Sequence, residues 1–430
     1  MQLENRGLTL VELNEFNVPL LERAASELAL PNLQTLLTLP RAQLWTADRD
    51  DSGFLEPWAQ WVSIHTGQPA SQHLIEHLGD VPDLAFSQIW ETLGRSGVTT
   101  GVWGVMNGAR REAPGCRYFL PDPWTFSEHA HPATLTDLLA LPRYLATHYL
   151  KISKRQVARL GMRFIRCLAQ QIGWGTVVRN LAALLPEIMR HGPQHFLFIA
   201  SFEYLSVRAM LRQEQAAVTD VRIVFLNSLA HLQHHYWTQG AVGITPQLAH
   251  GFRLVDKMIG LLMGAAGPGG ALLVTNGLSQ RNTNDEPPWI LYRPIDPVEF
   301  LRAAGIIFEQ LQPLMSYDAH VFFADAARAD AAERALREAR TGDRPLLWVQ
   351  RTHPTKLFYR IDFSDVALPQ QSVKINGRAL QFARYFEKIV QRTGRHDPNG
   401  VAFARGLALP DRLMNHELYD HIVRHATASQ

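Results

Sequence analysis

The segment Glu56-Pro-Trp-Ala-Gln-Trp-Val-Ser-Ile-His-Thr-Gly67 is the most informative stretch of this 430-residue chain. Its Ser-Ile-His-Thr-Gly ending comes after a loop, and His73 and the pair Gly79-Asp80 follow soon afterwards. The loop at 51–60 is one of four polar loops that follow predicted strands. The other three are residues 14–17, 227–235 and 275–280. In open α/β sheets, ligands bind beyond the carboxyl ends of the strands, so these loops indicate where a site should lie.

Strand and helix patterns alternate along most of the chain. Short apolar runs rich in strand formers occur at residues 8–13, 98–105, 222–226 and 271–275, with helical spacing between them. From about residue 133 to 190 the pattern changes to long helical segments. The prediction is a doubly wound, mostly parallel α/β sheet flanked by helices, with a helical insertion or cap. The predicted parts are 1–132 and 221–430 for the two halves of the core, and 133–220 for the insertion.

Composition excludes several classes of protein. With 46% hydrophobic residues, 19% charged residues and a net charge of +2, the chain is typical of a soluble globular protein and does not favour nucleic acid as partner. No apolar run approaches the roughly 18–20 residues that span a bilayer. Neither a Gly-x-Gly-x-x-Gly nor a Walker-type loop occurs, so no nucleotide cofactor is predicted. Cys116 and Cys167 are expected to be buried thiols, and a cytoplasmic location is expected.

Basic residues concentrate in the predicted insertion. Residues 141–190 contain nine Lys or Arg against one acidic residue, Glu187. A cationic face of this kind would attract phosphorylated substrates or an anionic surface. The alternative is an ordinary solvated helix face.

Five short motifs occur in the order found in a known family. They are the Ser-Ile-His-Thr-Gly ending at 63–67 and the segments 13–17, 226–237, 274–278 and 393–400. Together they span almost the whole chain and resemble type I phosphodiesterases and nucleotide pyrophosphatases of the alkaline phosphatase superfamily. The resemblance implies an α/β hydrolase fold with two divalent metals, held by Asp and His, and a Ser or Thr that attacks phosphorus.

The chain differs from that family at the positions of the nucleophile and of the metal-binding residues. By the family's spacing, the nucleophile falls on Pro57, which has no hydroxyl group. The metal-binding acids of the family become Asn14, Ala230 and Asn276, and the His of the Asp-His pair becomes Gly277. The resemblance therefore excludes a phosphoserine or phosphothreonine intermediate here.

Three positions keep residue types that could bind a metal or a phosphate group. His234 and His396 fall on metal-ligand positions of the family, and Gln60 falls where the pyrophosphatases place an Asn that contacts phosphate.

One interpretation of these departures is a site rebuilt around one metal. His231 lies three residues before His234 and can share a helical face with it. These imidazoles, His396 and a carboxylate from Glu12 or Glu56 would form a site for zinc, manganese or iron. Such an ion could activate water without a covalent intermediate.

The other interpretation is a polar pocket without metal. Amide side chains would bind a phosphorylated or carboxylated ligand by hydrogen bonds, with histidines as acid–base groups. The amides are Asn14, Asn17, Gln60, Asn227 and Asn276, and the histidines are His65, His231 and His396.

The sequence thus predicts a divergent, metal-dependent hydrolase or transferase for a phosphate-ester-like or other anionic small molecule. In it, His231, His234, His396 and Glu12 would serve the metal, and Glu56, Gln60 and His65 would serve catalysis. Asn14, Asn17, Asn227 and Asn276 would bind the ligand. The alternative is a catalytically inactive relative that binds a ligand or a protein partner. Substrate, metal and oligomeric state are left open by the sequence.

Overall fold

The computed structural model describes residues 7–48, 55–111, 113–148, 152–238, 244–287, 289–314 and 317–428. The chain divides into two compact units. The described residues of Met1–Pro142, Val157–Asn282 and Gly394–Gln430 form the first unit. Those of Arg143–Gln156 and Thr283–Thr393 form the second.

Strands and helices are numbered in chain order. The strands are β1 Leu8–Leu13, β2 Arg41–Trp45, β3 Thr100–Trp103, β4 Cys116–Leu120, β5 Val221–Leu226, β6 Ala271–Thr275, β7 Ser279–Asn282, β8 Trp289–Pro294, β9 Gln310–Pro313, β10 Asp318–Phe322, β11 Arg340–Thr341, β12 Arg344–Pro345, β13 Leu347–His353, β14 Lys356–Ile361, β15 Ser372–Ile375, β16 Arg378–Gln381, β17 Phe386–Arg392, β18 Gly394–Asp397, β19 Asn399–Arg405 and β20 Arg412–Met414. The α-helices are α1 Val18–Glu27, α2 Pro31–Leu37, α3 Pro57–Thr66, α4 Ala70–His73, α5 Ile89–Arg95, α6 Asp137–His148, α7 Lys154–Ile172, α8 Trp174–Ala182, α9 Leu185–His191, α10 His195–Ala216, α11 Ser228–Tyr236, α12 Pro246–Ala266, α13 Pro297–Ala303, α14 Ala326–Arg337, α15 Phe382–Tyr385 and α16 Leu418–Ala428.

An eight-stranded sheet forms the centre of the first unit, in the order β20-β2-β19-β6-β1-β5-β3-β4. All its neighbouring pairs are parallel except those of β19, which runs antiparallel to both β2 and β6. Every residue of β1 and β5 is buried, as expected for strands with helices on both faces of the sheet. The predicted α/β fold with a mostly parallel sheet is confirmed.

The parallel neighbours of β1 determine where the polar loops emerge. Leu13 pairs with Leu226 at the end of β5, and Glu12 pairs with Thr275 at the end of β6. Because the three strands are parallel, the loops that begin at Asn14, Asn227 and Asn276 leave the same edge of the sheet. The backbone N–H of Asn14 donates to the Leu226 carbonyl at 2.9 Å, which ties two of these loops together.

Helix α3 contains most of the segment at residues 56–67. Pro57 stands in its first turn, where a missing N–H costs nothing, and all ten of its residues are buried. Gly67 ends the helix at φ +70°, and a Cβ atom there would lie 2.9 Å from the Tyr419 ring. Glycine is therefore favoured here for two reasons: it tolerates a positive φ angle, and a larger residue would clash with the Tyr419 ring.

The long helical stretch predicted after residue 133 is present as α6 to α10. No described helix is long and apolar enough to cross a membrane. Cys116 and Cys167 are free and buried, and burial raises the pKa of each thiol to about 11. Both thiols are therefore protonated at neutral pH, as expected of structural cysteines.

The predicted boundaries treated residues 221–430 as one part of the core. In the structure, residues 283–393 belong to the second unit instead. Residues 283–393 contain small antiparallel sheets, β13-β14-β10-β9, β12-β11-β15-β16 and β17-β8, and their own apolar core. Phe300, Leu336 and Leu357 are completely buried in that core. Most of its strands are short, and helices stand between some of them, so the sequence pattern did not separate this unit from the larger sheet.

Candidate metal centre

Three side chains converge at the sheet edge where β1, β5 and β6 end. The Glu15 Oε2 atom lies 3.0 Å from the His234 Nε2 atom and 3.2 Å from the His396 Nε2 atom. In the described part of the chain, no other group of three His, Cys, Asp or Glu side chains brings its ligand atoms within 4.8 Å of one another. Glu15 is 3% exposed, while His234 and His396 are 12% and 10% exposed, so the cluster is open to solvent on one side.

Backbone carbonyl groups orient both imidazole rings. The Nδ1 atom of His234 lies 2.9 Å from the Gly394 carbonyl oxygen, and the Nδ1 atom of His396 lies 2.9 Å from that of Leu55. An acceptor at this distance requires a proton on each Nδ1, which leaves a lone pair on each Nε2 in the neutral ring. Two lone pairs and a carboxylate then face one another, an arrangement that needs protons or a cation between them. The same pairing of ring N–H with a carbonyl is typical of metal-binding histidines.

Glu15 is held in a demanding conformation. Its φ angle is +56°, in the left-handed region that side-chain-bearing residues rarely occupy. Asn14 Nδ2 donates to Glu15 Oε1 at 2.7 Å, and Gln280 Nε2 donates to Glu15 Oε2 at 2.7 Å. Burial alone would raise the pKa of Glu15, but the charges and hydrogen bonds of His396 and His234 outweigh it and hold the pKa well below its usual range. Glu15 is therefore a carboxylate near neutral pH.

Gln280 and His396 face each other across an antiparallel ladder. Strands β7 and β18 pair so that Gln280 lies opposite His396. Besides Glu15, Gln280 Nε2 donates to the Ala230 carbonyl at 3.0 Å. Its buried Oε1 atom has no hydrogen-bond partner among the described residues. A buried acceptor without a partner beside three ligand atoms is one more sign that the cluster is built for an additional group.

Asn14 supports the cluster from behind. Its Nδ2 group also donates to Asn227 Oδ1 at 2.8 Å, and its Oδ1 atom accepts from Trp61 Nε1 at 2.8 Å. Asn14 is completely buried, and both ends of its amide are engaged. It therefore connects Glu15 to helix α3 and to the loop after β5.

The other predicted amides are largely engaged by the protein itself. Asn276 Nδ2 donates to the Phe16 carbonyl at 2.8 Å, and its Oδ1 atom accepts from Val401 N–H at 2.9 Å. Asn17 Oδ1 caps helix α1 by accepting from Leu20 N–H, and Asn17 Nδ2 donates to the Gln280 carbonyl at 3.0 Å. These contacts brace the loops at the sheet edge. They leave little of either amide for the ligand role that the sequence suggested.

Gln60 lies in a separate buried network. Its Nε2 group donates to Asp48 Oδ2 at 2.7 Å, and its Oε1 atom accepts from Asn415 Nδ2 at 2.6 Å. The side chain is fully buried, so the proposed contact with substrate would require a rearrangement of this network.

Two predicted residues form a pair of their own, away from the cluster. His65 Nε2 lies 2.6 Å from Glu12 Oε1, and both side chains are completely buried. Strand alternation carries Glu12 into the packing beside α3, where the rings of Trp61 and Trp90 flank His65. Glu12 is thus not the carboxylate that faces His234 and His396, and His65 has no access to a substrate.

His231 lies outside the cluster, whereas Glu56 lies beside His396. The ring of His231 contacts those of His235, at a centroid distance of 4.6 Å, and His195, at 5.5 Å. It is not part of the cluster with Glu15; its ring packs instead on that of His235, one helical turn further along α11. The Glu56 Oε2 atom lies 3.4 Å from His396 Nδ1, immediately before Pro57 begins α3.

Glu15 and Gln280 are not among the site residues that the sequence predicts. Glu15 lies in the loop at 14–17, but neither the residue pattern nor the resemblance assigns it a role. An acid directly after a buried strand, beside Asn14, was the available signal. Gln280 had no signal of its own, because only the β7–β18 pairing places it opposite His396.

No family model matches the chain, and no curated protein sequence matches it. Among solved structures, the chain is similar to murine ectonucleotide pyrophosphatase/phosphodiesterase 5, with 13% identity, a TM-score of 0.47 and coverage of 97% of this chain and 95% of that one. It is also similar to phosphonoacetate hydrolase from Sinorhizobium meliloti 1021 in complex with phosphonoformate, with 13% identity, a TM-score of 0.46 and coverage of 98% and 95%.

What this chain does is inferred below from its own residues.

Proposed function

We propose that the chain is a hydrolase or transferase with one divalent transition metal, held by Glu15, His234 and His396. Its substrate would be a phosphate-ester-like or other anionic small molecule, and no Ser or Thr nucleophile would take part. The observation that carries the proposal is the convergence of the Nε2 atoms of His234 and His396 on the buried carboxylate of Glu15.

The donor set fits a catalytic metal better than a structural one. Two imidazoles and one carboxylate are a common three-ligand set for catalytic zinc, which keeps further positions open for water or substrate. Manganese and iron also accept this combination of nitrogen and oxygen ligands. When bound, such an ion would polarise a phosphoryl oxygen and activate water.

The charge of the cluster favours one dication over two. Asn14 and Asn276 are neutral and already hydrogen-bonded within the protein. Among the described acids, Glu15 is the one whose carboxylate meets the Nε2 atoms of both histidines. One dication with one carboxylate leaves a net charge of about +1, which attracts an anionic substrate, whereas a second dication would be repelled.

The surrounding residues have supporting roles in this proposal. Asn14 and Gln280 hold the Glu15 carboxylate, and the Gly394 and Leu55 carbonyls hold the rings. Glu56 is 18% exposed and is the carboxylate placed to accept or return a proton at the solvent side of His396. Pro57 offers no hydroxyl, so water is the nucleophile that this proposal requires.

The alternative is a catalytically inactive protein whose amides bind a ligand without metal. The hydrogen bonds of Asn14, Asn17 and Asn276 speak against it, because these amides already pair with protein atoms. The metal proposal is therefore the better supported of the two.

Metal content of the purified, untagged protein tests the proposal directly. Elemental mass spectrometry should find about one transition-metal ion per chain, as a three-ligand site predicts. His234→Ala and His396→Ala should each lose it. His231→Ala is the matched control, because His231 lies on the same helix outside the cluster and its loss should leave metal content unchanged. Normal metal content in both ligand variants, or none in the wild type after incubation with zinc, manganese and iron, would overturn the assignment.

Activity forms the second part of the test. With the metal that it retains, the protein should hydrolyse a member of a panel of phosphodiesters and phosphomonoesters. His231→Ala should keep this activity and His234→Ala should lose it. Equal activity in His234→Ala and the wild type would rule out the metal-dependent reaction.

A further inference from the structure

A cavity lies at the surface of the first unit, between the carboxyl end of α7 and the second half of α10. Its volume is about 570 Å³, and sites for small molecules commonly measure roughly 300–1,000 Å³. Gly173, between α7 and α8, and Leu261 of α12 also line it. All the described lining residues belong to the first unit, and none of them is a member of the metal cluster.

Two arginines of α10 line this cavity together. Arg208 and Arg212 are four positions apart, so they share one face of the helix, and Arg208 is partly buried. Like charges at this spacing repel each other and destabilise a helix slightly. An anion held between the two guanidinium groups would remove that repulsion.

The two guanidinium groups keep most of their hydrogen-bonding capacity. Arg208 Nη1 donates to Tyr204 Oη at 3.3 Å, and Arg212 Nη1 donates to Gln215 Oε1 at 3.0 Å. Neither arginine forms an ion pair with a described residue. Each guanidinium carries five N–H donors, so several of them remain for a ligand. No acidic residue is among the described residues that line the cavity, so its charge is positive.

Glutamine side chains supply neutral donors beside the arginines. Gln171 Oε1 accepts from Gln213 Nε2, a contact that connects α7 to α10 and leaves the Nε2 group of Gln171 as a donor. Gln215 Oε1 accepts from Arg212, so its Nε2 group is left in the same way. Gln171 and Gln215 both line the cavity.

We propose that this cavity binds a small molecule through a phosphoryl group. The planar guanidinium fork matches phosphate oxygens with two parallel hydrogen bonds, and a phosphate dianion would neutralise both arginines. The glutamine amides would donate to the remaining oxygens. Ile172, Leu211 and Leu261 form an apolar part of the wall, which would contact the organic part of the molecule. A carboxylate has one charge and two oxygens, so it would satisfy one arginine rather than two.

The course of α10 separates this cavity from the metal centre. Glu203 Oε1 accepts from the N–H of the residue that follows β5, at the edge of the sheet where the cluster lies. Glu214 Oε1 accepts from the N–H of Thr219, before β5 begins. Arg208 and Arg212 come five and nine residues after Glu203, which is roughly 8 and 14 Å along the helix. The cavity is thus a second site, and the inference does not depend on the proposed reaction.

Isothermal titration of the full-length protein with inorganic phosphate and with phenylphosphonate tests the inference. Phenylphosphonate has no ester bond to cleave, and its ring should make it bind more tightly than phosphate. Arg208→Gln with Arg212→Gln should weaken the binding of both probes at least about tenfold, because charge-assisted hydrogen bonds are lost. Arg159→Gln with Arg253→Gln is the charge-matched control, because both arginines are exposed and neither lines the cavity.

A second variant adds a charge and leaves both arginines in place. Gln170 lines the cavity and is exposed, so Gln170→Glu should leave thermal unfolding unchanged and weaken the binding of phosphate by repulsion. His234→Ala should keep the binding of both probes, since His234 belongs to the metal cluster.

Four results would overturn the inference. They are no binding to the wild type, unchanged binding in the Arg208→Gln, Arg212→Gln variant, an equal loss in the charge-matched control, and benzoate binding as tight as that of phenylphosphonate. Binding that His234→Ala loses and the double arginine variant keeps would place the anion at the metal centre instead.

Discussion

The backbone conformation and the burial of Glu15 are typical of a residue in a functional site. A side chain at φ +56° costs roughly 1–2 kcal/mol relative to glycine. The chain nevertheless places a buried acid at this position and supports it with Asn14 and Gln280. Strain of this kind persists where surrounding contacts hold it, and it concentrates at functional sites.

A pair of isosteric variants tests whether the acid at position 15 is the ligand. Glu15→Gln removes the charge but keeps the size, so metal affinity should fall at least about tenfold, as expected when a ligand is lost. Glu12→Gln is the matched control, because Glu12 pairs with His65 instead. Isothermal titration with zinc or manganese measures both. Weaker binding in Glu12→Gln than in Glu15→Gln would show that the cluster is wrongly assigned.

The buried imidazole of His73 makes the stability of the protein depend on pH in acid. The Ile75 N–H donates to His73 Nδ1 at 3.0 Å, so Nε2 carries the proton and donates to Ser63 Oγ at 2.9 Å. Burial lowers the pKa of His73 to about 4. A second proton on the ring would break the contact with Ile75 and charge a buried group.

Acid should therefore destabilise the protein through His73. The folded pKa lies below the ordinary value of about 6.5, so the unfolded chain binds a proton that the folded chain refuses. This effect is absent above pH 6.5, grows as pH falls and reaches about 3 kcal/mol near pH 4. In urea unfolding at several pH values, His73→Gln should lose less stability than the wild type between pH 6.5 and 4. The exposed His129→Gln serves as control, and parallel pH profiles for all three proteins would refute this account.

At the scale of elements, the short β7–β18 ladder decides the geometry of the cluster. Gly394 begins β18, and its carbonyl accepts from His234 Nδ1. A Cβ atom at Gly394 would lie 2.4 Å from Gln280 Oε1 and 3.1 Å from the Gln233 carbonyl oxygen. The glycine thus allows two elements to approach closely enough for a histidine and a glutamine to reach Glu15.

Gly394→Ala should disturb this approach. The added methyl group must displace Gln280 or the backbone of β18, so metal affinity should fall about tenfold and stability by about 1–3 kcal/mol. Gly264→Ala is the control, because a Cβ atom there meets nothing within 4 Å and alanine favours the helix. Metal titration and thermal unfolding measure the two effects. Unchanged affinity in Gly394→Ala would show that the ladder does not position His234.

At the scale of the whole molecule, the parallel sheet assembles a site from distant parts of the chain. Asn14 and Asn227 are 213 positions apart in sequence, yet their side chains are 2.8 Å apart. Because β1 lies between β5 and β6, residues that follow three separate strands meet at one edge. The site therefore exists only in the folded protein.

Metal binding should consequently stabilise the whole first unit. A ligand that binds only the folded state at a hundredfold excess over its Kd adds about 2.7 kcal/mol, and a few degrees in Tm. Zinc or manganese should raise the Tm of the wild type but not that of Glu15→Gln. Calcium is the control ion, because it prefers oxygen ligands to imidazole. An equal rise in both proteins would indicate that the metal binds elsewhere.

The amino-acid sequence by itself determined the elements and the order of the motifs. The apolar runs of β1, β5 and β6 and the helical spacing after residue 133 reflect local burial, which each segment encodes in its own periodicity. His234 and His396 were predicted as metal ligands from the resemblance of short motifs around them to those of a known family. Residues 283–393 were not recognised as a separate unit, since short antiparallel strands leave a weak pattern.

Only the tertiary structure decided which side chains meet. Glu12 and Glu15 are both acids near the end of β1, and no local pattern tells which one faces the histidines. That choice depends on the positive φ of Glu15, on the packing of His65 against Trp61 and Trp90, and on the pairing of β7 with β18. The side chains that meet here are more than two hundred positions apart in the sequence. Their contact follows from long-range packing, which hydrophobic periodicity does not encode.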